Sequence, residues 1–143
     1  MIDQITVFLE NSEGRLAALC KTLAQANINM QALSIADTTD YGVVRIICDD
    51  PARAIEVLSE QDYRAIATKV SAIGVPNVPG GLAKLLETLD ALDLNIEYGY
   101  CFSLKGDLAV DVLKIRGSEQ VSEAAAAIEA AGFKLLSQED LNA

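Results

Sequence analysis

The 143-residue chain has no histidine and no tryptophan, and only three prolines and three cysteines. Without imidazole there is no Ser-His or Cys-His nucleophile, no histidine zinc site and no side chain suited to acid–base work near neutrality. Cys20, Cys48 and Cys101 are odd in number and far from C-x-x-C spacing. They read as buried thiols in a reducing compartment. Positive charge is scarce as well, with 11 Lys and Arg against 21 Asp and Glu and a net charge of −10. Nucleic-acid affinity rests on neutralising phosphates, so this scattered minority of bases excludes a nucleic-acid partner. No apolar run approaches the ~18 residues of a membrane-spanning helix, and no charged-then-apolar leader opens the chain. A cytoplasmic location without a membrane partner is expected.

What is present suits a packed core: 51% of residues are hydrophobic and 22% charged. That composition excludes wholesale disorder. The length allows one ordinary domain or two very small ones.

Self-similarity decides between these. At an offset of 66, residues 11–29 lie over 77–95 without a gap and with eight identities in nineteen columns. They include Asn11/Asn77, Gly14/Gly80, Leu16/Leu82, Leu19/Leu85, Leu23/Leu89 and Asn29/Asn95. The same register, carried onward, sets Val44 over Val110 and Ile46 over Val112. The chain is a duplication.

Each copy opens on an alternating strand, Ile5, Val7 and Leu9 in the first and Ala72, Ile73 and Val75 in the second. A Gly loop follows, then a helix with an apolar stripe at Leu16, Leu19, Leu23 and Ala26, repeated at Leu82, Leu85, Leu89 and Leu92. Two strands come next, 29–36 and 42–48, with counterparts at 95–103 and 108–115. Asp50 and Pro51 start a second helix in copy one; Ser118 caps its counterpart, which Gly132 ends. Final strands fall at 64–70 and 133–137. The order is βαββαβ twice, an α+β fold of two ferredoxin-like units over 1–70 and 71–143, each an antiparallel sheet with its helices on one face. Units near 60 residues are marginal alone. The third strands are apolar on both faces, so the helix-free faces are expected to be covered, with the copies packed on each other. At offset 66 Arg45 lies over Asp111, opposite charges placed to pair if a pseudo-twofold axis relates the copies.

The segment Asn11-Ser12-Glu13-Gly14-Arg15-Leu16, followed by Asn27-Ile28-Asn29, resembles the ACT-domain signature. So does Asn77-Val78-Pro79-Gly80-Gly81-Leu82 with Asp93-Leu94-Asn95-Ile96. The resemblance spans nearly the whole chain and is to stand-alone tandem ACT proteins, small modules that sense amino acids for metabolic enzymes and regulators. It implies a free amino acid held at an interface between ACT domains, as in the regulatory domains of phosphoglycerate dehydrogenase. The contacting positions it implies are Asn11 and Asn29 in copy one and Asn77 and Asn95 in copy two, with Ser12–Leu16 and Val78–Leu82 around them. Two departures stand out: Leu9 and Val75 occupy a position where some members carry histidine, and Glu13 replaces the signature proline that Pro79 keeps.

The chemistry fits a zwitterion. An Asn amide offers a donor and an acceptor without net charge. Unpaired N–H groups and the dipole at a helix N-terminus favour a carboxylate, and Gly14, Gly80 and Gly81 let backbone approach closely. The alternative for each Asn is an ordinary Asx turn. Four of the six asparagines nevertheless sit at matched positions, and Asn29 and Asn95 begin strands, where Asn is disfavoured. Residues 75–81 lack the Lys-Ser/Thr of a P-loop, and Asp37, Asp40, Asp49 and Asp50 lack EF-hand spacing. Tyr98, Tyr100 and Phe102 read as core or interface. The expectation is a non-enzymatic amino-acid sensor that self-associates, as a homodimer, and needs no cofactor or metal. The alternative is a regulatory subunit that works by contact with a metabolic enzyme, like the small subunit of acetolactate synthase.

Overall fold

The structure, a computed structural model, describes residues 1–10, 12–37, 41–105, 107–116 and 118–143, with the backbone alone for 37, 103–105 and 118–121. The chain divides into two compact units: an N-terminal one, Asp3–Thr68, and a C-terminal one, Lys69–Ala143 with Met1–Ile2. The elements of the first are β1 (Ile2–Glu10), α1 (Arg15–Gln25), β2 (Met30–Asp37), β3 (Tyr41–Cys48), α2 (Pro51–Glu60) and the start of β4 (Arg64–Pro76). The rest of β4, α3 (Gly81–Asp90), β5 (Ile96–Lys105), β6 (Leu108–Ile115), α4 (Ser118–Ala130) and β7 (Lys134–Leu136) repeat the pattern. Strand order is β2-β3-β1-β4 in the first unit and β5-β6-β4-β7 in the second, the same ferredoxin-like arrangement twice. The pairs β1–β3, β2–β3, β4–β6, β5–β6 and β4–β7 are antiparallel.

Local chemistry sets the element ends. Asp50 Oδ1 accepts the Arg53 N–H at 3.2 Å while Pro51 fills the first turn of α2. α1 and α3 both end on a left-handed residue, Asn27 (φ 59°) and Asp93 (φ 55°). The next N–H then reaches back, Ile28 to the Leu23 carbonyl at 3.0 Å and Leu94 to that of Leu89 at 3.3 Å. A register shift follows at matched places, between Met30 and Ala32 and between Ile96 and Tyr98. The expected last strand is shorter than its sequence suggests. It stops at Leu136 because Ser137 and Asp140 form a capping box that opens a short helix, α5 (Gln138–Asn142), and Leu141 is buried.

Each core lies between one face of the strands and the helices. In the N-terminal unit Ile5, Val7 and Leu9 of β1 and Val44 and Ile46 of β3 meet Leu19 and Leu23 of α1 and Leu58 of α2. In the C-terminal unit Ile73 and Val75 of β4 and Leu113 and Ile115 of β6 meet Leu85, Leu89 and Ile128. The second stripe is narrower than expected, since Leu82 and Leu92 at its ends are exposed. The thiols also differ from expectation. Cys48 is buried, which pushes its pKa to about 11, but Cys20 is half-buried and Cys101 exposed.

The duplication holds a slip that corrects the register drawn from the sequence. Residues paired across antiparallel strands share a face. Val7 pairs with Val44, whereas its counterpart Ile73 pairs with Asp111. The third strands are therefore offset by 67, one more than the elements before them. The backbone agrees, because Asp49 donates to the Asn29 carbonyl while Arg116 donates to that of Asn95. The added residue lies in the β5–β6 hairpin, where the register shifts between Ser103 and Lys105. Arg45, paired with Thr6, points away from the helices, and Asp111 shares the helix-side face with Ile73. The two charges are not equivalents, so the symmetric Arg45–Asp111 pairing loses its basis.

Asp111 thus takes the place of Val44. It is only 5% exposed, and burial holds its carboxyl above the usual 3.8. A native group that keeps its proton to higher pH than the unfolded one costs stability as pH rises through that window. We expect Asp111→Asn to raise the melting temperature at pH 7. The advantage should shrink toward zero as pH falls below 3.8, where both states become protonated. Thermal melts of both proteins across that range check this; a gap that stays constant with pH would contradict it.

Candidate functional site

The two strand–helix loops are built alike. Gly14 (φ 83°) and Gly80 (φ 86°) are left-handed N-caps, a conformation that disfavours any residue with a Cβ. Ahead of them, Ser12 donates its N–H to the Glu10 carbonyl as Val78 does to that of Pro76. The Arg15 N–H reaches the Ser12 carbonyl and the Gly81 N–H that of Val78. Neither helix start receives a side-chain cap, so first-turn N–H groups of α1 and α3 stay open to a ligand.

Ser12, Glu13, Gly14, Pro79 and Gly80 are exposed, as are Asn77, Val78 and Leu82; Arg15, Leu16 and Gly81 are half-buried. Asn11 lies outside the described residues. Asn29 and Asn95 have exposed side chains, while their backbones tie the second strand to the end of the third. The Asn29 N–H also reaches Asp49 Oδ1 at 3.0 Å. The 11 residues of α1 separate Gly14 from the Asn29 end by about 16 Å. Within one unit the loop and the strand-start asparagine do not line a single small-molecule site.

What the structure gathers around the first loop is Arg15. A cavity of about 140 Å³ on one side of it joins the polar Glu10 and Ser12 to the apolar Leu9, Leu16, Ile35 and Val44. A larger one, about 510 Å³, lies on the other side, with Phe8, Tyr41, Tyr63 and Arg64 in its wall. The Arg15 guanidinium sits 5.3 Å from the Tyr63 ring centroid, and its buried Nε has no hydrogen-bond partner among the described residues. Arg64 likewise sits over Phe8 at 5.6 Å. Of these, Phe8, Ile35, Tyr41, Tyr63 and Arg64 were not singled out from the sequence. Phe8, Ile35, Tyr41 and Arg64 come from four different strands and Tyr63 from the turn before β4, and no local motif marks them.

In the C-terminal unit the loop borders a cavity of about 320 Å³ lined by Pro76, Val78, Pro79, Gly80 and Gly81, with Lys84 the cation in its wall. Lys84 Nζ lies 5.7 Å from the Phe133 ring centroid. Among the described residues no group of three or more Cys, Asp or Glu is placed to hold a metal. No described helix is long and apolar enough to cross a membrane.

Two ferredoxin-like units, each opening its first helix at a left-handed glycine with no side-chain cap, make a tandem pair of one small α+β module. The chain belongs to the ACT domain pair family, whose model matches residues 1–142. It is similar to protein BT0572 from Bacteroides thetaiotaomicron, with 36% identity over 98% of this chain and 94% of that one, and a TM-score of 0.90. It shares its fold with the regulatory subunit of aspartate kinase from Thermus thermophilus, at 17% identity, 91% coverage of each chain and a TM-score of 0.65. The corresponding subunit from Thermus flavus gives 20% identity, 90% and 91% coverage, and a TM-score of 0.60. No curated protein matches the sequence.

Proposed function

We propose that this protein is a non-catalytic cytoplasmic receptor for a free amino acid and regulates amino-acid metabolism through self-association or contact with an enzyme. The observation that carries the reading is the 140 Å³ cavity beside Arg15, which has room for roughly five waters. Its polar end offers a guanidinium and the uncapped start of α1 to a carboxylate, and Glu10 to an ammonium. Its other end is aliphatic. That pattern suits a small apolar amino acid. Asn11 flanks the same loop in sequence and is assigned to this site, Asn77 to its counterpart. Asn29 and Asn95, at the far helix ends, are assigned to contacts made with a second copy of the chain.

The aspartate kinase subunits that share the fold are named as regulatory, and the same output is proposed here. Protein contact has its own support. Leu33 and Ile35 are exposed on β2, which is an edge strand of its unit.

Calorimetric titration against the twenty amino acids tests the reading. At least one small aliphatic amino acid is expected to bind. Arg15→Met should weaken it about tenfold to a hundredfold, the loss of one or two charge-assisted hydrogen bonds of ~1.5–3 kcal/mol. No binding across the panel, or full affinity in the variant, would sink the assignment.

A further inference from the structure

We infer that the larger cavity of the N-terminal unit is a second ligand site, selective for an acidic amino acid. The inference goes beyond the small-amino-acid reading and does not rest on it.

Two guanidinia line this cavity, each laid over an aromatic ring: Arg15 over Tyr63 and Arg64 over Phe8. Phe8 is itself held by Tyr41, edge-on, at 6.2 Å between centroids. A guanidinium stacked on a ring keeps its in-plane N–H edge free, the edge that grips a carboxylate with two bonds. Glu10 and Asp62 line the same cavity, yet among the described residues neither arginine is in an ion pair. In a chain with 11 bases and a net charge of −10, two guanidinia in the wall of one cavity of about 510 Å³, neither in an ion pair among the described residues, concentrate positive charge.

The other copy shows what the fold needs without such a site. Tyr63 donates its N–H to the Leu58 carbonyl as Phe133 does to that of Ile128, which makes Lys134 the counterpart of Arg64. Lys134 is paired with Asp140 at 3.8 Å. The counterpart of Arg15 is Gly81, with no side chain at all. Lys84 Nζ takes the place of the missing guanidinium over the Phe133 ring, so the second copy keeps one cation there and neutralises the other, and the fold persists. A second guanidinium outside any described ion pair, that of Arg64, is therefore not required by the architecture.

Two separately mounted guanidinia match two separate carboxylates better than one compact phosphate. The carboxylates of Glu10 and Asp62 match an ammonium. A ligand with two carboxylates and one ammonium is an acidic amino acid. Since Arg15 lines both cavities, the acidic and the small apolar ligand compete for one guanidinium.

Titrations with L-glutamate, L-aspartate, glutarate and inorganic phosphate, read by calorimetry, test this on the full chain. One of the two acidic amino acids is expected to bind in the millimolar range or tighter, with glutarate and phosphate at least tenfold weaker. Arg64→Met should weaken it tenfold or more and leave the affinity for a small apolar amino acid unchanged; Arg15→Met should weaken both. Wild-type affinity for the acidic ligand in Arg64→Met, phosphate binding as tight, or no acidic ligand bound would overturn the inference. Binding of a small apolar amino acid in that same experiment would leave the first reading standing, so the two fail separately.

Discussion

Leu19→Ala is expected to remove 2–5 kcal/mol of stability, and Leu85→Ala a similar amount. The two leucines occupy matched places in the duplication and both are fully buried. Leu19 reaches from α1 into a core shared with β1, β3 and α2, and Leu85 does the same from α3. Truncation leaves a cavity that close-packed neighbours fill only in part, so the cost exceeds simple transfer of the lost methyls. Small units of this size have few such side chains and a stability of only ~5–15 kcal/mol to draw on. Urea unfolding followed by circular dichroism measures both losses. A cost under about 1 kcal/mol for either would mean that its helix does not seat as described.

Gly81→Ala is expected to cost more than Gly80→Ala, although Gly80 is the residue in the left-handed conformation. A Cβ at position 81 would overlap the Pro76 carbonyl oxygen and stand 3.2 Å from Val75 Cγ1. The first is backbone at the end of β4, so relief requires the strand end or the start of α3 to move. Overpacking of that kind costs ~1–3 kcal/mol, often at the upper end when backbone is the obstacle. Gly80 has nothing within 4 Å of its virtual Cβ, which leaves only the positive φ, a penalty of ~1–2 kcal/mol. Equal melting temperatures for the two variants, or a lower one for Gly80→Ala, would contradict this order. The close contact also explains why the second copy carries no counterpart of Arg15. The room that the sequence suggests for a ligand at Gly81 is taken by the chain's own carbonyl.

The duplication was legible because turn residues recur together with the helix leucines at one offset. Gly14 and Gly80, Asn27 and Asp93, and the paired register shifts at Met30 and Ile96 recur at one offset, since each meets a backbone demand that few residues satisfy. The third strands gave no such anchor. Valine and isoleucine on both faces leave alternation without a phase, so the extra residue in the β5–β6 hairpin was invisible and Asp111 was matched with the wrong partner. α5 was missed because the capping box at Ser137 lies where the apolar run of the last strand seems to continue. The walls around Arg15 were hidden for a different reason. Phe8, Tyr41, Tyr63 and Arg64 meet only through β1, β3 and β4, and sequence distance conceals that neighbourhood.

The claim that matters most is that the loop opening α1 receives a free amino acid, and amide NMR tests it most directly. The protein labelled with nitrogen-15 would be titrated with whichever small apolar amino acid binds in calorimetry. The account predicts saturable shifts centred on the amides of Ser12, Gly14, Arg15 and Leu16, with Ile35 and Val44 following. Shifts that saturate elsewhere while these amides stay fixed would contradict it.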